Sequence, residues 1–349
     1  MGLAKKDIRS LSLSELQDVF KQEGEQAFRA KQVYEWLWKK SAVSFDQMTN
    51  LSKSTRSWLE NNFEIRLLAT SNSQKSSDGT IKNAFRLHDH FLVEGVLIPT
   101  EKRITACISS QVGCSLTCKF CATGKMKRMR NLEASEIYDQ VVAIKNQAES
   151  TYQRPLTNIV YMGMGEPLLN YKNVLESVHK ITNDEGLGMS AKRITVSTAG
   201  IAKMIKQLGD DQVKFNLALS LHAANDEKRN SIMPINESNS LQNLAESLHY
   251  YYQKTKNPVT FEYIIFKDFN DSLKDAAELA QFCRKVPSKV NIIEYNSIDE
   301  GEFQQADAQR VDQFQQYLES KGIIAKVRRS RGKDIDAACG QLANKNQGQ

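Results

Sequence analysis

The chain has 349 residues, 25% charged and 40% hydrophobic, enough for about two domains with an ordinary core. Lys and Arg number 47 against 41 acidic residues, and the net charge of +6 permits a polyanionic partner without requiring one. No apolar run approaches the length of a membrane span, and the first residues carry no leader pattern, so we expect a cytoplasmic protein.

Residues 1–64 form the first predicted unit, a small helical domain. Leu16 and Phe20 share one face of its first helix, and Ser12 or Ser14 is placed to cap that helix. Basic residues of this unit, such as Lys31, Lys39 and Lys40, predict that it contributes to binding a nucleic acid, if the protein has such a partner.

Residues 65–99 have the character of strands and predict a short β extension. The segments Ile81–Leu87 and Phe91–Ile98 are rich in apolar and aromatic residues, and Ser76–Gly79 is typical of a turn. We expect a small sheet that joins the helical unit to the rest of the chain.

Residues 100–342 alternate apolar strands with helical segments. The predicted strands are Ile104–Ser109, Asn158–Met162, Arg193–Ser197, Phe215–His222, Val259–Phe266 and Val290–Tyr295. Repeated strand–helix units predict an α/β fold with a parallel sheet. Six units are too few for a closed eight-fold barrel, so we expect a partial (β/α)6 barrel or a curved open sheet, followed by a tail over residues 343–349.

The unusual residues of this unit follow the ends of its strands. Gly165 and Glu166 follow the second strand, Ser197 ends the third, Ser220–His222 ends the fourth and Asn296 follows the sixth. Taken singly, these residues are more typical of turns, helix caps or structural side chains. Because ligands bind at the carboxyl ends of parallel strands, their shared location predicts one binding site.

Three cysteines follow the first predicted strand at Cys114, Cys118 and Cys121. Three thiolates in eight residues can hold a four-iron cluster and leave one iron open, where S-adenosylmethionine (SAM) can chelate and accept an electron. The alternative is structural zinc with Cys107 as a fourth ligand. The position after a parallel strand favours the cluster, and permanent disulfides are not expected in a reducing cytosol.

The cysteine loop, with Phe120 before its last cysteine, resembles the radical SAM superfamily. Further motifs are similar to the RlmN family, namely Cys107–Cys114, Gly163–Pro167, Ser220–His222 and Arg331–Leu342. The resemblance implies a radical SAM methyltransferase acting on carbon 2 of an adenine in 23S rRNA and of one next to the anticodon in certain tRNAs. A sister family, Cfr-like, methylates carbon 8 of the ribosomal adenine, but Val112 and Pro167 favour RlmN.

The resemblance also implies roles for individual residues. Cys339 would carry the methyl group, Cys107 would resolve a covalent RNA adduct by forming a transient disulfide, and Glu94 would accept a proton. It implies one 4Fe-4S cluster per chain on the three loop cysteines, and two SAM molecules per turnover. SAM contacts would be Gly165, Glu166, Ser197, Ser220, Leu221, His222 and Asn296. Cys283 matches no motif and is predicted to be structural.

The expected partners are the RNA substrates and an electron donor of flavodoxin or ferredoxin type, and we expect a monomer. Two basic stretches are candidates for phosphate contacts. They are Lys119, Lys125, Lys127, Arg128 and Arg130, and then Lys326, Arg328, Arg329, Arg331 and Lys333. Two alternatives stay open: a radical SAM activase, which would not need Cys339, and a zinc-stabilised RNA-binding module, which would be colourless.

Overall fold

A small helical unit begins the structure, a computed structural model that describes residues 5–345. Its elements are β1 (Lys6–Asp7), α1 (Leu13–Gln22), α2 (Ala27–Trp38), α3 (Lys53–Asn62) and β2 (Phe63–Glu64). Helix α1 begins with a capping box in which Ser12 and Glu15 satisfy each other's backbone N–H groups. The two short strands pair in parallel and bring the ends of the unit together.

The β extension belongs to the same sheet as the strands that follow it. Strands β3 (Ala69–Lys75), β4 (Ile81–Arg86) and β5 (Leu92–Pro99) pair antiparallel in sequence order. Strand β5 also pairs antiparallel with β6 (Ile104–Cys107). The predicted separate small sheet is therefore one flank of a ten-stranded sheet.

The remaining elements supply the parallel part of that sheet and the helices around it. They are β7 (Gln111–Val112), β8 (Arg130–Asn131), α4 (Ala134–Tyr152), β9 (Asn158–Tyr161), α5 (Tyr171–Thr182), β10 (Ile194–Thr198), α6 (Ala202–Asp210), β11 (Asn216–Ser220), α7 (Asp226–Ile232), α8 (Leu241–Thr255), β12 (Val259–Ile265), α9 (Leu273–Cys283), β13 (Ser288–Glu294), α10 (Ala308–Ser320) and β14 (Ala325–Arg328).

The sheet has the strand order β14-β13-β12-β11-β10-β9-β6-β5-β4-β3, and the pairs from β6 to β14 are parallel. Strands β7 and β8 form a separate two-stranded sheet beside the cysteine loop. The predicted partial barrel is confirmed. The structure adds β14 as a seventh parallel strand, which the sequence did not reveal because this strand is short and carries basic residues.

The helical unit packs against the outside of the barrel. The Trp38 ring meets the Tyr138 ring edge-on with centroids 5.1 Å apart, and both side chains are buried. The Lys180 ammonium lies over the rings of Tyr34 and Trp38. Aromatic and cation–π contacts of this kind stabilise the contact between the two parts.

Two predicted boundaries are corrected. The fourth strand was expected to reach His222 but ends at Ser220, because His222 has a left-handed φ of 57° that a strand does not allow. The tail was expected from residue 343, but the backbone N–H groups of Ala343 and Asn344 donate to Glu94 Oε2 at 2.9 and 3.2 Å. The rest of that tail, residues 346–349, lies outside the described residues. Over residues 5–345, the apolar stretch needed to cross a membrane is not found in any helix.

Candidate active site

The curved sheet encloses a cavity of about 610 Å³. Its lining includes most of the predicted site residues, namely Cys107, Cys114, Cys118, Cys121, Gly165, Glu166, Ser197, Ser220, His222 and Cys339. These residues are up to 232 positions apart along the chain. The parallel topology brings them together, as expected for the carboxyl ends of adjacent strands.

Three predicted site residues do not line the cavity: Glu94, Leu221 and Asn296. The backbone N–H of Leu221 donates to the Glu262 carbonyl, and its own carbonyl accepts from Arg229. The polar contacts predicted for the Leu221 backbone are thus made within the protein. Asn296 lies behind Cys339 and donates to its carbonyl oxygen at 3.4 Å.

Glu94 is buried and its carboxylate is held by the end of the described chain. Besides the two backbone donors at residues 343 and 344, Lys82 lies 3.7 Å from Glu94 Oε1 and is also buried. Asn344 donates to the Leu92 carbonyl at 2.8 Å and secures the same segment. In this arrangement, Glu94 is turned away from the cavity.

The cysteine loop is fixed from several sides. Ala122 donates to the Gly340 carbonyl at 2.7 Å, and the Thr123 hydroxyl donates to the Leu342 carbonyl at 2.6 Å. Lys119 donates to a carbonyl at the end of α7. The loop is therefore part of the same wall as the segment that carries Cys339.

Burial disfavours the thiolate forms of the loop cysteines. It raises the pKa of Cys114 to about 11, and it raises the pKa of Cys118 and Cys121 as well. The negative charges of Cys121 and Cys114 raise the pKa of Cys118 further, so the three groups are close in space. Such thiols ionise when they bind a cation, which inverts the local electrostatics.

Arg229 is a buried cation next to this loop. Its guanidinium donates to the carbonyl oxygens of Ala199, Ser220 and Leu221, which belong to the two loops after β10 and β11. Burial lowers its pKa to about 10, while Cys118 counteracts that effect. Arg229 thereby joins the segments after β10 and β11 to each other and places a positive charge near Cys118.

Glu166 connects the segment after β9 to the next loop. Its carboxylate accepts from the backbone N–H of Leu168 at 3.0 Å and of Ala199 at 2.7 Å, and burial raises its pKa. Gly165 has a φ of 94°, and a Cβ there would lie 2.4 Å from the Cβ of Gln111. Only glycine allows the segment to approach β7 this closely.

Cys107 and Cys339 are both free thiols and both line the cavity. Cys339 keeps accessible surface while it lines the cavity, and the surrounding protein atoms raise the pKa of its thiol to about 11. The Glu262 carboxylate also raises the pKa of Cys339, and Arg328 lowers it. Burial and then the charge on Cys339 raise the pKa of Cys107, so the two thiols are neighbours.

Sequence reasoning missed Arg229, Glu262 and Asn291. Glu262 and Asn291 line the cavity from the middle of β12 and β13, whereas the residues predicted to bind SAM lie at or just after strand ends. A charged residue inside a strand whose residues are all buried is a signal that was available. Arg229 lies on a polar helix and gives no such signal.

His222 gives a pH-dependent contribution to stability. Its Nδ1 accepts from the Ile264 backbone N–H at 3.0 Å, and burial, followed by the charge on Arg229, lowers its pKa to about 3. The ordinary pKa is 6.5, so the neutral form stabilises the fold above pH 6.5 and that contribution is lost as the pH falls toward 3.

Between pH 7 and pH 5, this effect should lower the free energy of unfolding by about 2 kcal/mol. The comparison is His222→Asn, since asparagine tolerates the left-handed backbone and can accept the same hydrogen bond. Urea titrations of both proteins at the two pH values measure the difference. Equal losses in the two proteins would show that His222 does not titrate in this way.

Comparisons with known proteins agree with this site. A protein of Cytophaga hutchinsonii, named as a probable dual-specificity RNA methyltransferase RlmN, is 64% identical over 343 residues, which are 98% of this chain and 94% of that protein. The protein of the same name from Christiangramia forsetii is 60% identical over 98% of this chain and 97% of its own length. The chain belongs to the RlmN family.

Two family models match parts of this RlmN-family chain. The model of the ribosomal RNA large subunit methyltransferase N-terminal domain matches residues 6–65, and that of the radical SAM superfamily matches residues 108–280. The crystal structure of a radical SAM methyltransferase from Sphaerobacter thermophilus is 40% identical and superposes with a TM-score of 0.91 over 97% of this chain and 99% of that one. The chain is thus a radical SAM methyltransferase, an enzyme class that uses a 4Fe-4S cluster and SAM.

The RlmN-family cavity fits these cofactors. Within the described chain, no three or more His, Cys, Asp or Glu side chains are grouped so that they could hold a metal ion. In an iron–sulfur cluster, each cysteine binds a different iron, so the sulfurs remain apart. Among the described residues, the buried Asn296 Oδ1 has no hydrogen-bond partner, so it is an acceptor available to a ligand.

Proposed function

We propose that the protein methylates carbon 2 of an adenine in 23S rRNA and of an adenine next to the anticodon in certain tRNAs. The observation that carries the proposal is that Cys339 and Cys107 are neighbouring free thiols in the same cavity as the cysteine loop. A methyltransferase that moved a methyl group directly from SAM to RNA would need neither thiol. The names of the relatives, which are dual-specificity RNA methyltransferases, support the same substrates.

Cys114, Cys118 and Cys121 would hold the cluster, with SAM on its open iron and a flavodoxin- or ferredoxin-type donor as reductant. When bound, cluster and SAM together supply a one-electron cleavage that yields a hydrogen-abstracting radical. Glu166, Ser197, Ser220 and His222 line the adjacent space and would orient SAM. Asn296 lies outside this lining, next to Cys339, and would reach SAM only with its unpartnered Oδ1. Arg229 holds three of the backbone carbonyls in this wall.

The two thiols of the chain would act before and after the radical reaction. The Cys339 thiolate takes a methyl group from a first SAM by displacement, and a second SAM is consumed in each turnover. The ring carbon is too electron-poor to attack a methyl cation donor, so the methyl group on Cys339 would first lose a hydrogen atom to the radical. Its carbon would then bond to carbon 2 of adenine, and the adduct would lose one electron and the proton of carbon 2. The Cys107 thiolate attacks the Cys339 sulfur and forms a disulfide, while the electron pair of the broken carbon–sulfur bond goes to the carbon, which takes up a proton and leaves as the methyl group of the base. A thiol reductant must then restore the two cysteines before the next turnover.

Glu94 would accept the proton from carbon 2. For this role, its carboxylate must turn toward the cavity, and the Ala343 and Asn344 backbone donors must withdraw from it. These residues follow Cys339 by only a few positions, so movement of the Cys339 segment would free Glu94. We infer that the two events are linked.

Replacing Cys107 by alanine should trap the enzyme on its RNA. Without the resolving thiol, the bond between Cys339 and the base stays intact, and turnover should stop after about one event per chain. Denaturing gels with labelled RNA detect the covalent complex. The Cys283→Ala variant is the control and should release product. Free methylated RNA made by Cys107→Ala over many turnovers would exclude the resolving role.

The two basic stretches proposed to contact RNA differ in how their cations are used in the structure. In the first, Arg130 is paired with Asp89 and Glu136, and Lys125 donates to carbonyls at residues 299 and 300. These cations are already used within the protein. In the second, Arg331 donates to the Asp78 carbonyl and Lys333 pairs with Glu294, but Arg328 and Arg329 line the cavity with no such internal partner among the described residues. We propose that the second stretch binds RNA phosphates, with the accessory domain, residues 1–64, extending that surface.

Neutralising Arg328 and Arg329 to glutamine should weaken RNA binding by roughly 10-fold and lower the salt dependence of binding by about one to two phosphate contacts. Filter binding at several salt concentrations measures both. The control is neutralisation of Lys203 and Lys206, exposed residues on α6. Iron content should not change in either variant. An unchanged affinity would remove the second stretch from the RNA surface.

The test of the proposed function is mass spectrometry of nucleosides from protein-free large-subunit RNA. The RNA comes from cells that lack the enzyme and is treated anaerobically with reconstituted protein, SAM and reductant. The expected product is 2-methyladenosine. Formation of 8-methyladenosine would assign the Cfr-like reaction instead, and 5′-deoxyadenosine without methylated base would show that the substrate is wrong.

A further inference from the structure

Glu262 and Asn291 form a polar pair inside the cavity that the reaction steps above leave without a role. They are direct register partners on the neighbouring parallel strands β12 and β13, and both line the cavity. Glu262 is 7% exposed and Asn291 is 6% exposed. A buried carboxyl and a buried amide in a strand interior are costly unless hydrogen bonds satisfy them.

One hydrogen bond joins the pair and fixes its orientation. The Asn291 Nδ2 donates to Glu262 Oε1 at 2.7 Å, which assigns the amide so that Oδ1 is its remaining acceptor. Across residues 5–345, no hydrogen bond reaches Glu262 Oε2 or Asn291 Oδ1. The pair therefore offers two acceptor oxygens, Glu262 Oε2 and Asn291 Oδ1, to a molecule in the cavity, besides the second N–H of the Asn291 amide.

The pair lies beside the sulfur that would carry the methyl group. Charge on Glu262 raises the pKa of Cys339, and Arg328 and Lys289 lower the pKa of Glu262 against the effect of burial. Ser220, at the predicted SAM wall, is the register partner of Glu262 on the other side. Glu262 thus lies between that wall and Cys339.

Adenine matches this position. Its carbon 2 and the carbon that carries its exocyclic amino group flank the same ring nitrogen, so a base with carbon 2 at Cys339 places the amino group on the order of 4 Å away. That group donates two hydrogen bonds, whereas guanine has an acceptor oxygen at the same ring position. On the basis of the proposed function, we propose that Glu262 and Asn291 bind the exocyclic amino group of the target adenine and select adenine over guanine.

The test combines enzyme variants with a change in the RNA. Wild type and Glu262→Ala act on a synthetic RNA with the target adenosine, and on the same RNA with purine riboside, which lacks only the amino group. Glu262→Ala should lower kcat/KM for adenosine by about 10- to 100-fold and leave kcat/KM for purine riboside nearly unchanged. Glu262→Gln keeps the volume and one acceptor oxygen and should lose less. Glu246→Gln, on the exposed face of α8, is the control.

Two further readouts make the result specific. Intact-mass spectrometry should show that Glu262→Ala still carries a methyl group on Cys339, because that transfer precedes binding of the base. Equilibrium dialysis should show unchanged SAM binding.

Equal losses on both RNAs, or a loss of SAM binding, would overturn the assignment and give Glu262 a different role. If wild type makes no 2-methyladenosine at all, the proposed function fails and this inference fails with it. If wild type is active but the loss is not selective for the amino group, only this inference fails.

Discussion

Replacing Cys339 by alanine is expected to abolish methylation of RNA, with a loss of at least about 10⁴-fold in rate. In the proposed reaction, the Cys339 sulfur receives the methyl group and later carries the carbon that bonds to the base, so its loss should stop both steps. Cys107 is a neighbouring thiol, but burial raises its pKa and makes it a poor replacement.

The measurement is the yield of methylated nucleoside from anaerobic reactions with reconstituted protein. The iron and sulfide content of Cys339→Ala should equal that of wild type, because Cys339 is not a cluster ligand. Cys283→Ala removes a buried cysteine from α9, away from the cavity, and should retain activity. Full activity of Cys339→Ala would favour a radical SAM activase that acts on a partner protein.

Replacing Cys118 by serine is expected to remove the cluster and, with it, SAM cleavage. A serine hydroxyl is a far weaker iron ligand than a thiolate, and Cys118 is the most deeply placed of the three loop cysteines beside Arg229. Formation of 5′-deoxyadenosine should fall by at least about 10⁴-fold. The anaerobically purified protein should also lose its brown colour and its iron.

The control for this variant is Cys283→Ser, which makes the same chemical change at another buried cysteine. Far-ultraviolet circular dichroism of both variants checks that the fold persists without the cluster. A colourless wild-type protein that contains zinc, and loses it on the Cys118→Ser change, would support the zinc-stabilised RNA-binding module instead.

Much of the site was predictable because its chemistry is concentrated in short motifs. Cys114, Cys118 and Cys121 are defined by their spacing, and Gly165 and Glu166 by their place after an apolar strand. Cys339 was predictable only from the family resemblance, since a lone cysteine after two alanines is typical of a buried residue. The structure brings it into the same cavity through the fold of more than 200 intervening residues.

Other features depended on tertiary structure and gave no local signal. Whether a cation faces RNA or an internal carboxylate is decided by distant residues, as Arg130 and its partners Asp89 and Glu136 show. The carboxylate of Glu94 is held by residues 343 and 344, which no sequence pattern links to it. The alternation of apolar and polar residues can identify a strand but not its neighbour, so the pairing of β5 with β6 was not predictable.

The two edge strands of the sheet affect how copies of the protein meet each other. Strand β3 has exposed polar side chains such as Ser71 and Asn72, and its register with β4 shifts between Thr70 and Asn72. Strand β14, at the opposite edge, is short and carries Lys326 and Arg328. Irregular, polar or charged edges resist pairing with the strands of another molecule. A sheet of ten strands with regular apolar edges would offer a template for aggregation, and the character of these two edges disfavours that kind of association.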